Sequence, residues 1–140
     1  MKFEVFDKLR GALKFLLLEK ERSSVAHVLK KGAETKIHYH PEAREWIVLY
    51  EGALGVGLGP SHGFKTFTAE GRVTVIEIPP GVAHIAVAFS DCEYFVVRNK
   101  ADKIKYCGYL GTVAERLRAK QRAAKSGRAA RKKQQSGKKQ

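Results

Sequence analysis

Cysteine is scarce in this chain: Cys92 and Cys107 are the only two, and no close spacing links them. Two isolated thiols build no disulfide framework and are wrongly spaced for a zinc knuckle, so a reducing, cytoplasmic compartment is expected. Long apolar runs are missing too. The longest near the N-terminus, Leu13 to Leu18, is interrupted by Lys14 and followed by Glu19, too short for a membrane span or a secretory leader, so a soluble protein without membrane contact is expected. No aromatic residue follows Tyr109 and no acid follows Glu115, which removes base stacking from whatever the C-terminal stretch does.

What is abundant is positive charge. The 140 residues carry 27 Lys and Arg against 14 Asp and Glu, a net charge of +13, with an ordinary apolar fraction of 44% and room for one domain with a core. The excess is concentrated. Residues 112–140 hold eleven of the basic groups against one acid, Glu115, so that 1–111 are nearly balanced. A domain over 1–111 and a basic tail over 112–140 are therefore expected.

Within 1–111 the first stretch, to about Glu21, is open between two readings. Leu9, Leu13, Leu16 and Leu17 fit a helix face, whereas Phe3, Val5 and the run Leu13 to Leu18 fit strands. From Val25 onward short strands alternate with turn residues: 25–29, 35–40, 45–50, 54–58, 65–68, 73–78, 84–89 and 94–98. Punctuation by Pro41, Gly52, Gly59-Pro60, Gly71 and Pro79-Pro80-Gly81 indicates an all-β sandwich or barrel. The tail opens on Thr112-Val113-Ala114-Glu115, which has the capping-box form of a helix start. Only alanines supply apolar surface after Leu117, so the expectation is one or two helical turns docked on the barrel and then disorder.

The chemistry-bearing residues lie in the barrel. Side chains alternate along a strand, so His38 and His40 point to one side. Pro41-Glu42-Ala43-Arg44 suits a turn that returns Glu45 beside them, and Pro79-Pro80-Gly81 forces a reversal before His84. Imidazole and carboxylate together suit a borderline divalent metal such as iron, manganese, nickel, cobalt or zinc. His27 and His62, each alone, are read as satisfied core histidines.

The spacing of Gly32, His38, His40, Glu45 and Gly52 resembles the first motif of the cupin superfamily at every fixed position, and Gly71, Pro79-Pro80-Gly81 and His84 resemble the second. The resemblance implies an all-β jelly-roll barrel (a double-stranded β-helix), compact because only 53–70 separate the motifs, and assigns His38, His40, Glu45 and His84 as ligands of one divalent metal ion. The asparagine that often ends the second motif is Ala88 here, so a substrate contact at that position is not implied. Alternation places Ile47 and Leu49 on the face of Glu45, and Ala86 and Ala88 on the face of His84, as pocket walls. Trp46, Val48, Tyr50, Ile85, Val87 and Phe89 point the other way, and their apolar area calls for a cover: another part of the same chain or, as expected here from the family's habit, a second copy in a homodimer.

On such an ion three neutral imidazoles and one carboxylate leave a net charge near +1 and positions for water, dioxygen or an enediol, which serves either redox or Lewis-acid chemistry. No catalytic acid or base stands out. Glu77 and Glu93 are read as structural or surface charges, and Tyr39 points away from the metal. Three functions follow: a metal-dependent enzyme on a small organic molecule, with oxygen-dependent, dioxygenase-like chemistry preferred; a sugar or sugar-phosphate isomerase or epimerase; or a non-enzymatic ligand-binding or sensing barrel. The second is encouraged by Glu45-Trp46-Ile47-Val48, which looks like cupin-type mannose-phosphate isomerases although the spacing before the glutamate differs by one residue. In the third, the basic tail contacts nucleic acid without sequence preference through counterion release.

Overall fold

Apolar residues alternating between glycine and proline stops form nine strands among the described residues, with one helix near each end. In chain order these are β1 (Phe3–Phe6), α1 (Leu9–Leu16), β2 (Ser23–Leu29), β3 (His38–Tyr39), β4 (Glu45–Leu58), β5 (Gly63–Ala69), β6 (Val73–Ile78), β7 (His84–Ala88), β8 (Cys92–Arg98), β9 (Lys105–Tyr106) and α2 (Thr112–Gly137). The structure is a computed structural model and describes residues 1–16, 23–59, 63–108 and 110–137, with 125–137 described as helix backbone alone.

Every strand pairing is antiparallel. Strand β4 belongs to two sheets. Its first half pairs with β6 and β8, which carry β1 and β2 on their outer edges; its second half pairs with β5 and β7, and β7 leads through β3 to β9. The corner is made where the register with β8 shifts between Leu49 and Glu51, and by Gly52, whose φ of +90° is open to glycine and whose added Cβ would run into the Asp91 carbonyl. The segments 45–50 and 54–58, expected as two strands, are therefore one strand bent through the corner.

The barrel interior is filled by Ile47, Leu49, Leu54, Val56, Leu58, Ile76 and their neighbours. Both outer faces are covered by this chain. Over the first sheet, Ala12 and Leu16 of α1 bury against Trp46, Val48, Val75 and Val97. The N-terminal stretch thus contains both of the anticipated forms, a strand at Phe3–Phe6 and a helix after it. Leu17, Leu18 and His62 lie outside the described residues. Over the second sheet, Val113, Ala114 and Leu117 of α2 bury against Ile37, Ile85 and Val87. The apolar faces that suggested a second subunit therefore have their cover within one chain.

Helix α2 is longer than one or two turns and reaches Gly137. Its early turns belong to the packing of the barrel: Val113, Ala114, Leu117 and Gln121 form one buried face. Glycines at alternate positions of β4 make the seat. A Cβ on Gly55 would lie 2.6 Å from Leu117 Cδ1, and one on Gly57 would lie 2.9 Å from Val113 Cγ1. Arg118 adds a forked pair to Glu34, its Nε 2.9 Å from Oε2 and its terminal nitrogen 2.6 Å from Oε1. Beyond Gln121 continuation rests on the helix propensity of Ala, Arg, Lys and Gln. Where disorder is expected after the first turns the chain is helical as far as Gly137, and 138–140 lie outside the described residues. Similarly, only His38–Tyr39 of the anticipated strand 35–40 pair as β3, because the hydroxyl and N–H of Thr35 bracket Ala86 instead.

Leu117 is fully buried, so Leu117→Ala is expected to destabilise the chain by about 2–5 kcal/mol. A chain ending at Ala124 should keep the wild-type melting temperature; thermal unfolding of the two checks where the barrel's packing stops.

Candidate metal centre

Two turns set the geometry of the centre. In the first, between His40 and Glu45, the Asp102 carboxylate accepts from the N–H groups of Glu42 (2.7 Å) and Ala43 (2.8 Å), and Asn99 Oδ1 accepts from Arg44 (3.0 Å). Those bonds hold the turn so that β4 starts with Glu45 beside the imidazoles. In the second, Gly81 takes a φ of +75° and donates its N–H to the His40 carbonyl at 2.7 Å. This ties the reversal before His84 to the histidine segment. His38 and His84 then stand directly opposite one another in the β3–β7 pair.

One ligand atom from each of His38, His40, Glu45 and His84 lies within 4.8 Å of all the others, close to the ~4.2 Å that separates opposite ligands of a single ion with bonds of about 2.1 Å. His40, Glu45 and His84 are buried and His38 is half-buried. Each imidazole turns Nδ1 to a backbone carbonyl: His38 to Lys36 (2.7 Å), His40 to Lys103 (3.1 Å) and His84 to Val82 (3.1 Å). A carbonyl only accepts, so Nδ1 carries the proton and Nε2 is left with its lone pair. Yet Nε2 of His84 is 2.8 Å, and that of His40 3.4 Å, from the Glu45 oxygens. Two lone pairs at that distance repel unless a cation, a proton or a metal ion, stands among them. The donor set and the carbonyls behind it fit a divalent metal.

Burial opposes the charge on Glu45, but the proton and positive charge that the imidazoles bring when protonated, His84 first, outweigh it and hold the carboxyl below its ordinary value. Burial, followed by repulsion from His84, lowers His38 and favours the neutral, ligand-competent ring. Tyr94 is pushed up to about 12, first by burial and then by Cys92 and Glu45, so it faces the cavity as a phenol.

The centre lies at the base of a cavity of about 410 Å³. Of the expected walls, Ile47 and Ala86 line it; Leu49 and Ala88 sit deeper, fully enclosed in the interior core. Glu77 pairs with Arg44 (3.2 Å) and Lys2 (3.7 Å), a structural role, and Glu93 does not line the cavity. His27 is a correction: it is exposed on β2, lines the cavity and stacks on Tyr94 at a centroid distance of 5.3 Å. Tyr94, Val96 and Arg98, also lining, were unassigned. Their alternation on β8 is visible in the sequence, but alternation does not tell which strand runs beside Glu45.

With the ion absent, the folded chain holds fewer protons than the unfolded one below the ordinary His38 value of 6.5, and again around the ordinary Glu45 value of 4.5. Both shifts stabilise at higher pH and lose that contribution as pH falls through those regions. Melting temperatures of metal-free protein should therefore decline on acidification from neutrality, and His38→Asn should flatten the upper part of the decline.

The cupin family model matches residues 12–109. No curated protein matches the chain in sequence. Among solved structures, an oxalate decarboxylase from Lactobacillus farciminis, crystallised as a formate complex, is similar at 21% identity and a TM-score of 0.53, over 75% of this chain and 30% of that one. A protein with a double-stranded β-helix domain from Klebsiella pneumoniae is similar at 14% identity and a TM-score of 0.54, over 64% of this chain and 72% of that one. A sugar phosphate isomerase of the cupin superfamily from Silicibacter pomeroyi is similar at 20% identity and a TM-score of 0.52, over 64% and 59%. The chain thus spans about a third of the decarboxylase, and these likenesses concern the fold. With the barrel, the two motifs and the family match over most of its length, the chain belongs to the cupin family.

Proposed function

We propose that His38, His40, Glu45 and His84 hold one divalent ion, drawn from iron, manganese, nickel or zinc, and that the chain is a metal-dependent enzyme acting on a small organic molecule in the adjoining cavity. The observation that carries this is the orientation of the imidazoles: three Nδ1 atoms on carbonyls, with Nε2 of His84 and of His40 beside the buried Glu45 carboxylate and His38 within the same cluster. The ion would supply Lewis acidity and, if iron or manganese, single-electron chemistry. The chain's own groups bind and shield. Val25, Ile47, Ala86, Val96 and Ile104 supply the apolar surface of the cavity, and Tyr94 offers a phenolic proton at its wall.

The same fold serves an oxalate decarboxylase and a sugar phosphate isomerase, so preference between reactions rests on the cavity. Proton transfer between sugar carbons calls for a base, and Glu45, the one carboxylate among the described lining residues, is already assigned to the ion. That favours oxygen-dependent chemistry over sugar isomerisation. Elemental analysis of protein purified without added metal is expected to find about one ion per chain, largely lost in His84→Ala, with substrate-dependent oxygen uptake when the ion is iron. A wild-type chain that stays empty and refuses added iron, manganese, nickel and zinc overturns the reading.

A second reading is favoured by the course of α2, which runs on past its packed turns with five Lys and Arg between Ala124 and its end at Gly137. Here the barrel binds or senses a ligand and the extension contacts nucleic acid. Full-length protein should bind DNA and RNA with a log–log salt slope of about 0.7 to 0.9 per phosphate contacted, and a chain ending at Ala124 should lose most of it. Equal binding by both sinks this reading.

A further inference from the structure

Arg98 has no evident employment in the fold. It stands directly opposite Glu45 in the β4–β8 ladder, which sends both side chains to the inner face of the sheet. It lines the cavity, and its Nε is buried with no hydrogen-bond partner. Among the described residues no carboxylate pairs with it. The oxygens of Glu45, the nearest candidate along the ladder, are directed to His40 and His84. An enclosed guanidinium nitrogen without a partner is costly, and such a group is kept where something outside the chain completes it.

The remaining lining says what that is. Lys36 stands at the exposed rim with its ammonium 5.6 Å from the Tyr106 ring, and Glu45 is the only acid among the described lining residues. With neutral imidazoles the lining carries two cations against one carboxylate, and a divalent ion would add two further positive charges. The apolar part of the lining is Val25, Ile47, Ala86, Val96 and Ile104. The planar fork of arginine matches a carboxylate through two parallel N–H bonds. A phosphate, with three oxygens to satisfy, is usually met by backbone N–H groups at a helix start, whereas this lining comes from strands and loops.

We infer that Arg98 is the substrate-anchoring residue of this site and that the cavity takes a small organic acid, its carboxylate on the Arg98 guanidinium and its short apolar body against Val25, Ile47 and Val96. This rests on the metal-centre reading only for where the far end of the acid points, towards His38, His40, Glu45 and His84.

The test uses the full chain, zinc-loaded and metal-free, with 2-oxobutanoate, its neutral amide 2-oxobutanamide and inorganic phosphate as probes, by calorimetry and ligand-observed NMR. Zinc content and melting temperature are measured in parallel. The acid should bind the wild type and bind Arg98→Met at least about tenfold more weakly. Arg98→Lys, which keeps the charge but not the fork, should fall between. The amide should show no preference for the wild type. Equal affinity of Arg98→Met at full zinc content overturns the inference and leaves the metal centre standing; so does an amide that binds as well as the acid, tighter binding of phosphate, or no binding of the acid at millimolar concentration. If zinc fails to load the wild type, the metal reading falls, and the same comparison on the metal-free chain decides the role of Arg98 by itself. If Arg98→Met does not fold, Arg98→Lys and the acid-to-amide comparison on the wild type carry the decision.

Discussion

A carboxylate buried inside an apolar barrel must be answered by positive charge or proton donors, and much of this molecule can be derived from how Glu45 is answered. At 4% exposure it has no water to lean on. The chain surrounds it with three imidazoles whose outer nitrogens are already occupied by carbonyls, so the inner nitrogens have only lone pairs to offer. Carboxylate and lone pairs are reconciled by a cation. The turns at Asp102 and at Gly81 serve that arrangement: one holds the start of β4, the other joins the start of β7 to His40.

Strand β4 transmits the arrangement through the barrel. Its first residue is the buried carboxylate of the cluster, its middle bends between sheets at Gly52, and its second half carries the glycines against which α2 lies. Ligand position, corner and helix seat are thus consecutive features of one strand. The outer faces of both sheets are covered by α1 and α2, whereas the cavity beside Glu45 stays open and is lined by charged groups. Charge is divided accordingly: a cavity lined by Lys36 and Arg98 against Glu45 within the barrel, and a dense run of Lys and Arg on the distal part of α2.

Much of the site was legible in the residues because its determinants are local. Alternation on a strand is enough to put His38 and His40 on one side, and a Pro-Pro-Gly reversal is enough to open a strand with His84. Ile47 and Ala86 followed from the same alternation. Leu49 and Ala88 share those faces but lie deeper, since alternation gives the side of a sheet and says nothing of depth in a closed barrel. His27 illustrates the opposite error. A lone histidine on a strand reads as core, but among the described residues β2 pairs with β8 alone, and His27 on this edge strand is exposed.

The sequence by itself determined the family, the mainly β class, the four residues of the candidate metal cluster and the concentration of charge in the C-terminal segment, because each depends on residue type and short spacing. Only the tertiary structure decided that β8 lies beside β4, bringing Arg98 opposite Glu45 and Tyr94 into the cavity, and that the basic segment begins as a packed part of the barrel. Those facts depend on pairing between strands far apart in the chain, and on whether a neighbour lacks a side chain where a helix must settle. Neither is written in the periodicity of any single segment.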